Sequence, residues 1–150
     1  MFTKGFGKFV CEGDSITCVV ETICGIFDVT ATVYRDDNNE PPYEHMDGFW
    51  PSRDPKNAGY VKEADFAAAQ ATAERVLDAW NNDEWYYCGI AVRVAKNGVT
   101  LTGQYDTALW GIEANYPDTP DNGYLLEVAN DLLPEAVAHA QEILGKLCAK

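Results

Sequence analysis

The chain has 150 residues, 47% of them hydrophobic, and sets 24 acidic side chains against 11 lysines and arginines, a formal net charge of −13. That length favours a single domain, and one of this size buries roughly 70% of its unfolded surface. The apolar content separates it from acidic disordered tails. The charge argues against direct binding to nucleic acid, where lysine and arginine must neutralise phosphates, and against an anionic membrane surface.

No run of apolar residues is long enough to cross a bilayer. The opening Met1-Phe2-Thr3-Lys4-Gly5-Phe6-Gly7-Lys8 lacks the apolar stretch of a secretory leader. A cytoplasmic location is therefore expected. The cysteines Cys11, Cys18, Cys24, Cys88 and Cys148 are odd in number and form no Cys-x-x-Cys pair, which argues against a thiolate zinc site. They read as small buried hydrophobes in a reducing compartment. Cys148, beside Lys146 and Lys150, is the alternative reactive thiol.

The first third alternates with period two. Ile16, Cys18 and Val20 share one face, and in 27–34 the odd positions are apolar; this is the pattern of half-buried antiparallel strands. Gly13-Asp14 and Gly25 punctuate them, and Phe9 to Cys11 is expected to form a shorter strand. Residues 36–62 break the pattern with Asp36-Asp37-Asn38-Asn39-Glu40-Pro41-Pro42 and then Pro51, Pro55 and Gly59. With Tyr43, Phe49, Trp50 and Tyr60 inside it, this segment reads as a packed or functional loop.

Residues 63–81 predict a helix, with Phe66, Ala69, Ala73, Val76, Leu77 and Trp80 on one stripe. Asn81-Asn82 is a plausible end, since Asn tolerates a left-handed terminal residue. Tyr86, Cys88, Ile90, Val92 and Val94 then alternate with Tyr87, Gly89, Ala91 and Arg93 before Asn97-Gly98, the strongest local hairpin signal. That turn pairs Lys96 with Val99 and Val94 with Leu101, and places Ile90 near Tyr105. Ala108 to Glu113 is a further strand. Residues 123–148 predict a second, wider-striped helix in which Pro134 either makes a kink or starts a new helix capped by Asn130 or Asp131.

The expected architecture is a single α+β domain: an antiparallel sheet of five to six strands packed against two helices, in the order βββ-α-ββ(β)-α. Either each half is a meander followed by a helix, or one sheet carries both helices on one face.

Catalytic signatures are sparse. Of two histidines, His139 falls within the second helix and His45 lies beside Glu44 and Asp47. There is no nucleophile elbow, no His-Glu-x-x-His and no phosphate-binding glycine loop. Asp36-x-Asn38-x-Glu40 superficially fits a calcium loop, but Pro41 occupies the position of its sharp-turn glycine. No metal or cofactor is expected. Aromatic residues beside acids, Trp110 with Glu113 and Trp50 with Asp47, have the make-up of a sugar-hydrolysing cleft, in a chain short for one.

Charge is unevenly spread. Residues 63–84 carry six acids against Arg75, and residues 106–150 carry eight against Lys146 and Lys150, whereas 85–105 carry Arg93 and Lys96 and no acid. The acidic candidates Glu63, Asp65, Glu74, Asp78, Glu127, Asp131, Glu135 and Glu142 must point away from the apolar stripes. If both helices covered one sheet face, one side of the molecule would be strongly negative. Such a surface either maintains solubility or complements a basic protein surface, imitating phosphates.

From residue 80 onward the chain resembles a group of small proteins of bacteria, their phages and mobile elements. The resemblance rests on Trp80-Asn81-Asn82-Asp83-Glu84-Trp85-Tyr86-Tyr87-Cys88-Gly89-Ile90, Asn97-Gly98-Val99, Leu109-Trp110-Gly111-Ile112-Glu113-Ala114-Asn115-Tyr116-Pro117, Asn122-Gly123-Tyr124-Leu125 and Glu127-Val128-Ala129-Asn130-Asp131-Leu132-Leu133. No activity attaches to that group, so it implies a phage-borne or accessory gene and no catalytic residue. Two expectations follow. The first is a non-enzymatic interaction protein whose acidic face binds and inhibits a host nucleic-acid-handling or defence protein. The second is a small-molecule binding or modifying protein using a pocket of Trp85 and Trp110 oriented by Glu84 and Glu113, with Trp50 and Asp47 as further binding candidates. In the bland alternative the same aromatics close the core. Oligomeric state stays open.

Overall fold

The structure, a computed structural model, describes residues 1–9, 16–36, 40–119 and 121–149, and of residues 16–22 the backbone alone. Strands β1 (Ile16–Cys24) and β2 (Phe27–Arg35) are followed by a one-turn helix α1 (Pro42–His45) and the long helix α2 (Glu63–Asn81). Then come β3 (Tyr86–Lys96), β4 (Val99–Thr100), β5 (Ala108–Ala114) and the helix α3 (Gly123–Cys148). The expected α+β class and antiparallel five-stranded sheet are both present. The strands form one sheet: β1 pairs β2, β2 pairs β3, and the other edge of β3 is shared by β4 and β5. The separate-meander arrangement is thereby replaced, because β2 and β3 lie side by side. Phe9 is in no strand, and the rest of the expected 9–11 strand lies outside the described residues.

Parity builds the core. The β2–β3 register sets Val29 opposite Val94, Ala31 opposite Val92 and Val33 opposite Ile90, so one sheet face is continuous apolar surface. Leu125, Val128, Ala129, Leu133, Ala136 and Ala140 of α3 cover it, with Phe2 and Phe6 of the N-terminal segment and Cys88 inside the same cluster. Each fully buried branched or aromatic side chain there contributes about 1.5–3 kcal/mol. Cys24 is half-buried and Cys148 exposed, while Cys11 and the side chain of Cys18 lie outside the described residues.

Helix α2 does not join α3 on that face. Its buried Val76 and Ala79 pack on Trp85 and Tyr87, and Tyr87 has the parity opposite to Tyr86 and Cys88. The condition for one strongly negative side, two helices on one face, therefore fails. The end of α2 sets this up. Asp83, at φ 56, takes the left-handed position expected of an asparagine. Its N–H donates to Trp80 O (3.1 Å) and that of Glu84 to Ala79 O (2.9 Å), closing the helix end with a reversal that returns Trp85 toward α2.

Asn97 (φ 51) and Gly98 (φ 78) form the expected hairpin turn, since both central residues of such a turn need positive φ. Lys96 pairs with Val99, and Leu101 N–H donates to Val94 O (2.9 Å). The second arm then leaves the sheet, so Ile90 faces Leu109 and not Tyr105. Helix α3 runs unbroken through Pro134. Asn130 caps nothing; its side chain accepts from Phe2 N–H (2.7 Å) and donates to Phe2 O (3.1 Å). Asn122, left-handed at φ 52, accepts from Asn115 N–H (2.7 Å) and donates to Gly7 O (2.7 Å) and Asn115 Oδ1 (2.9 Å). Asn115 in turn donates to Phe9 O. Three asparagines thus hold the N-terminal segment by its backbone.

Candidate functional site

The acidic candidates are all exposed, but they differ in their company. On α2, Glu63 pairs with Arg53 (2.7 Å), and Glu74 accepts from Gln70 (3.3 Å) while Asp65 stands in the first turn. Glu74 and Asp78 border a cleft of about 1200 Å³ that Lys8, Arg35 and Arg75 also line. Arg75 reaches Asp118 at 2.7 Å and Arg35 reaches Asp83 at 3.9 Å; Glu74 and Asp78 are in no ion pair among the described residues, but they share their cleft with three basic side chains. Glu84 lines the same cleft.

Helix α3 is different. Glu127, Asp131 and Glu135 recur every four residues, one carboxylate per roughly 6 Å of helix. Among the described residues no ion pair engages any of the three, whereas Glu142 is bound by Lys146 (2.6 Å), whose hydrogen bond and charge hold its carboxyl below the usual carboxylate range. The stripe begins at a second cleft, of about 640 Å³, lined by Glu113, Asp118, Asp121 and Glu127 together with Tyr116 and Tyr124 and, among the described residues, by no lysine or arginine.

Trp85 and Trp110, expected to share a pocket, belong to separate clusters. Trp85 is 1% exposed. Its indole N–H donates to Val76 O (2.8 Å), and its ring meets Tyr87 and Tyr116 edge-on at 5.3 and 4.9 Å. It anchors α2. Trp110 is 43% exposed and keeps company with Tyr34 and Tyr105. Glu113 lies across the strand from Tyr87. Burial first, then Glu113, raises the Tyr87 hydroxyl well above the usual 10.0, and the same causes raise Tyr116. Among the described residues the Tyr87 hydroxyl has no hydrogen-bond partner. Trp50 stacks on Tyr43 at 6.5 Å and meets Phe49 edge-on; with Asp47 it borders a shallow loop cleft.

His45, read from the sequence as a residue of an acidic loop, stacks on Tyr87 at 4.0 Å, and sequence reasoning missed both that contact and the Gln104-Tyr105-Tyr34 group. Long-range contacts across unrelated segments gave no local signal for either. Among the described residues no cluster of three or more His, Cys, Asp or Glu side chains is arranged to hold a metal ion, and no helix is long and apolar enough to cross a membrane. Comparisons with protein-family models, with curated proteins and with solved structures return no match.

Proposed function

We propose that this chain is a non-enzymatic interaction protein that docks on a basic protein surface through the outer side of α3. The observation that carries the reading is the row Glu127, Asp131 and Glu135, exposed and without an ion-pair partner among the described residues, running out of a cleft whose described lining holds four carboxylates and no lysine or arginine, Asp118 alone of the four being met by Arg75. A row of regularly spaced charges of one sign steers association and fixes register on a complementary surface. Its spacing suits a partner whose lysines and arginines ordinarily meet phosphates, such as a host nucleic-acid-handling or defence protein. The resemblance to phage and mobile-element proteins supports an accessory role, and inhibition of such a host protein in the cytoplasm is the action that fits it. Charge reversal tests the assignment to α3. The Glu127→Lys, Asp131→Lys, Glu135→Lys triple variant is expected to lose capture of the basic partner from host lysate, while the Glu74→Lys, Asp78→Lys double variant retains it. Equal capture by all three proteins would refute the reading.

A further inference from the structure

The sheet face opposite α3 carries a built aromatic surface that the acidic row does not use. Its origin is a β-bulge. Cys88 faces Ile112 and Ile90 faces Leu109, so Trp110 and Gly111 together oppose Gly89. Gly111 takes φ 76, a conformation open to glycine. Bulges re-aim side chains and gather at functional sites. This one turns the indole of Trp110 across the strand onto Gly89. A Cβ at Gly89 would lie 2.5 Å from Cδ2 and 2.7 Å from Cζ3 of Trp110, so the ring rests on bare backbone and its outer side faces solvent.

Two tyrosines complete the surface. Tyr105, 53% exposed, stands 5.9 Å from Trp110 at 55°. Tyr34 lies beneath, 5.3 Å from Tyr105 and 6.4 Å from Trp110. Gln104 Nε2 donates to both phenol oxygens at 3.1 Å. Because each phenol accepts there, its own O–H hydrogen points elsewhere, and the Gln104 carbonyl oxygen remains an acceptor. An exposed ring is therefore edged by neutral donors and acceptors held in place by one another.

The charges around it select the ligand. A nucleotide has a flat ring but brings phosphate into a molecule of net charge −13. A guanidinium or ammonium group stacks well on tryptophan but gains most from a free carboxylate, and the nearest acids have other company. Asp106 accepts from Gly103 N–H (2.6 Å) and approaches His139 (3.8 Å), while Glu113 faces Tyr87 and Tyr116. A neutral ring with an apolar C–H face and equatorial hydroxyls matches both the indole and the uncharged rim.

We propose that Trp110, Tyr105 and Gln104 form a binding platform for a neutral saccharide, independent of the acidic row on α3. The test titrates the whole protein, followed by tryptophan fluorescence and calorimetry, with neutral hexasaccharides of α-1,4-glucose, β-1,4-glucose, β-1,4-N-acetylglucosamine, β-1,4-xylose and β-1,4-mannose, and with tri-arginine amide. At least one saccharide is expected to bind saturably, with affinity unchanged by salt. Trp110→Ala should weaken it by about tenfold or more, the weight of one stacked aromatic. Gln104→Leu, which leaves the Trp110 ring in place and removes the amide bonds to Tyr34 and Tyr105, should also weaken it, and Tyr60→Ala should not. Binding of no saccharide below about 10 mM would overturn the proposal. So would saccharide binding undiminished in Trp110→Ala and Gln104→Leu, or tri-arginine amide as the only ligand sensitive to Trp110.

Discussion

Replacing Trp85 with alanine tests how α2 is held. The ring is fully buried and bridges Val76 and Ala79 of α2 to Tyr87 of the sheet and to Tyr116. Deleting a buried tryptophan costs about 3–5 kcal/mol through lost transfer energy and the cavity left behind. The lost N–H bond to Val76 O contributes about 1 kcal/mol of that, since the helix still offers that carbonyl a backbone partner. Against a total stability of about 5–15 kcal/mol the loss is large, yet it falls on one unit, because α3 packs in a different cluster around Ala129, Ala136 and Ala140. Urea denaturation gives the overall cost, and native-state hydrogen exchange resolves it by helix. Amides of α2 should lose protection well before those of α3. A cost under about 1 kcal/mol, or equal loss of protection in both helices, would refute the two-cluster account.

Three further outcomes follow from the geometry. Asn122→Gly keeps the left-handed backbone but deletes the side-chain bonds to Asn115 and Gly7; it should cost about 1–3 kcal/mol in urea and deprotect residues 2–9 first. Gly89→Ala should drive the Trp110 ring off its seat, seen as a red shift and stronger quenching of tryptophan emission, with a loss of about 1–3 kcal/mol from overpacking. Spectroscopic alkaline titration should show Tyr87 and Tyr116 ionising above the ordinary 10.0, both being raised by burial and then by Glu113. Since their folded pKa values lie above the unfolded ones, their stabilising contribution is intact below pH 10.0 and disappears as pH rises beyond it, so alkaline unfolding should accompany their ionisation.

The elements of this fold are legible locally because period carries the information. Phe27 to Tyr34 alternates and is a strand; Phe66 to Trp80 repeats at three and four residues and lies in a helix; Asn97-Gly98 is the turn that its two positive φ values require. What the periods do not carry is assembly. Which face α2 takes depends on Trp85 and Tyr87 accepting its stripe, and the reversal at Asp83 that allows this arises at an aspartate where asparagine is the expected residue. The hairpin rule continues a register indefinitely, whereas the chain leaves the sheet after Thr100 and re-enters at Ala108, which moves Tyr105 from Ile90 to Trp110. Pro134 reads as a break but is accommodated within α3, and Asn130 is occupied by the N-terminus 128 residues away. The acidic side chains were legible as solvent-facing; that Glu127, Asp131 and Glu135 have no ion-pair partner among the described residues while Glu63 is met by Arg53 is a tertiary fact.

The most direct test of the acidic row is the salt dependence of binding to the basic partner proposed for it. Between about 0.1 M and about 1 M salt the screening length falls from roughly 10 Å to roughly 3 Å. The account predicts a steep, log-linear fall in affinity over that range, and a distinctly shallower fall for the Glu127→Lys, Asp131→Lys, Glu135→Lys variant. Affinity that is flat with salt, or a slope unchanged by reversing those three charges, would contradict it.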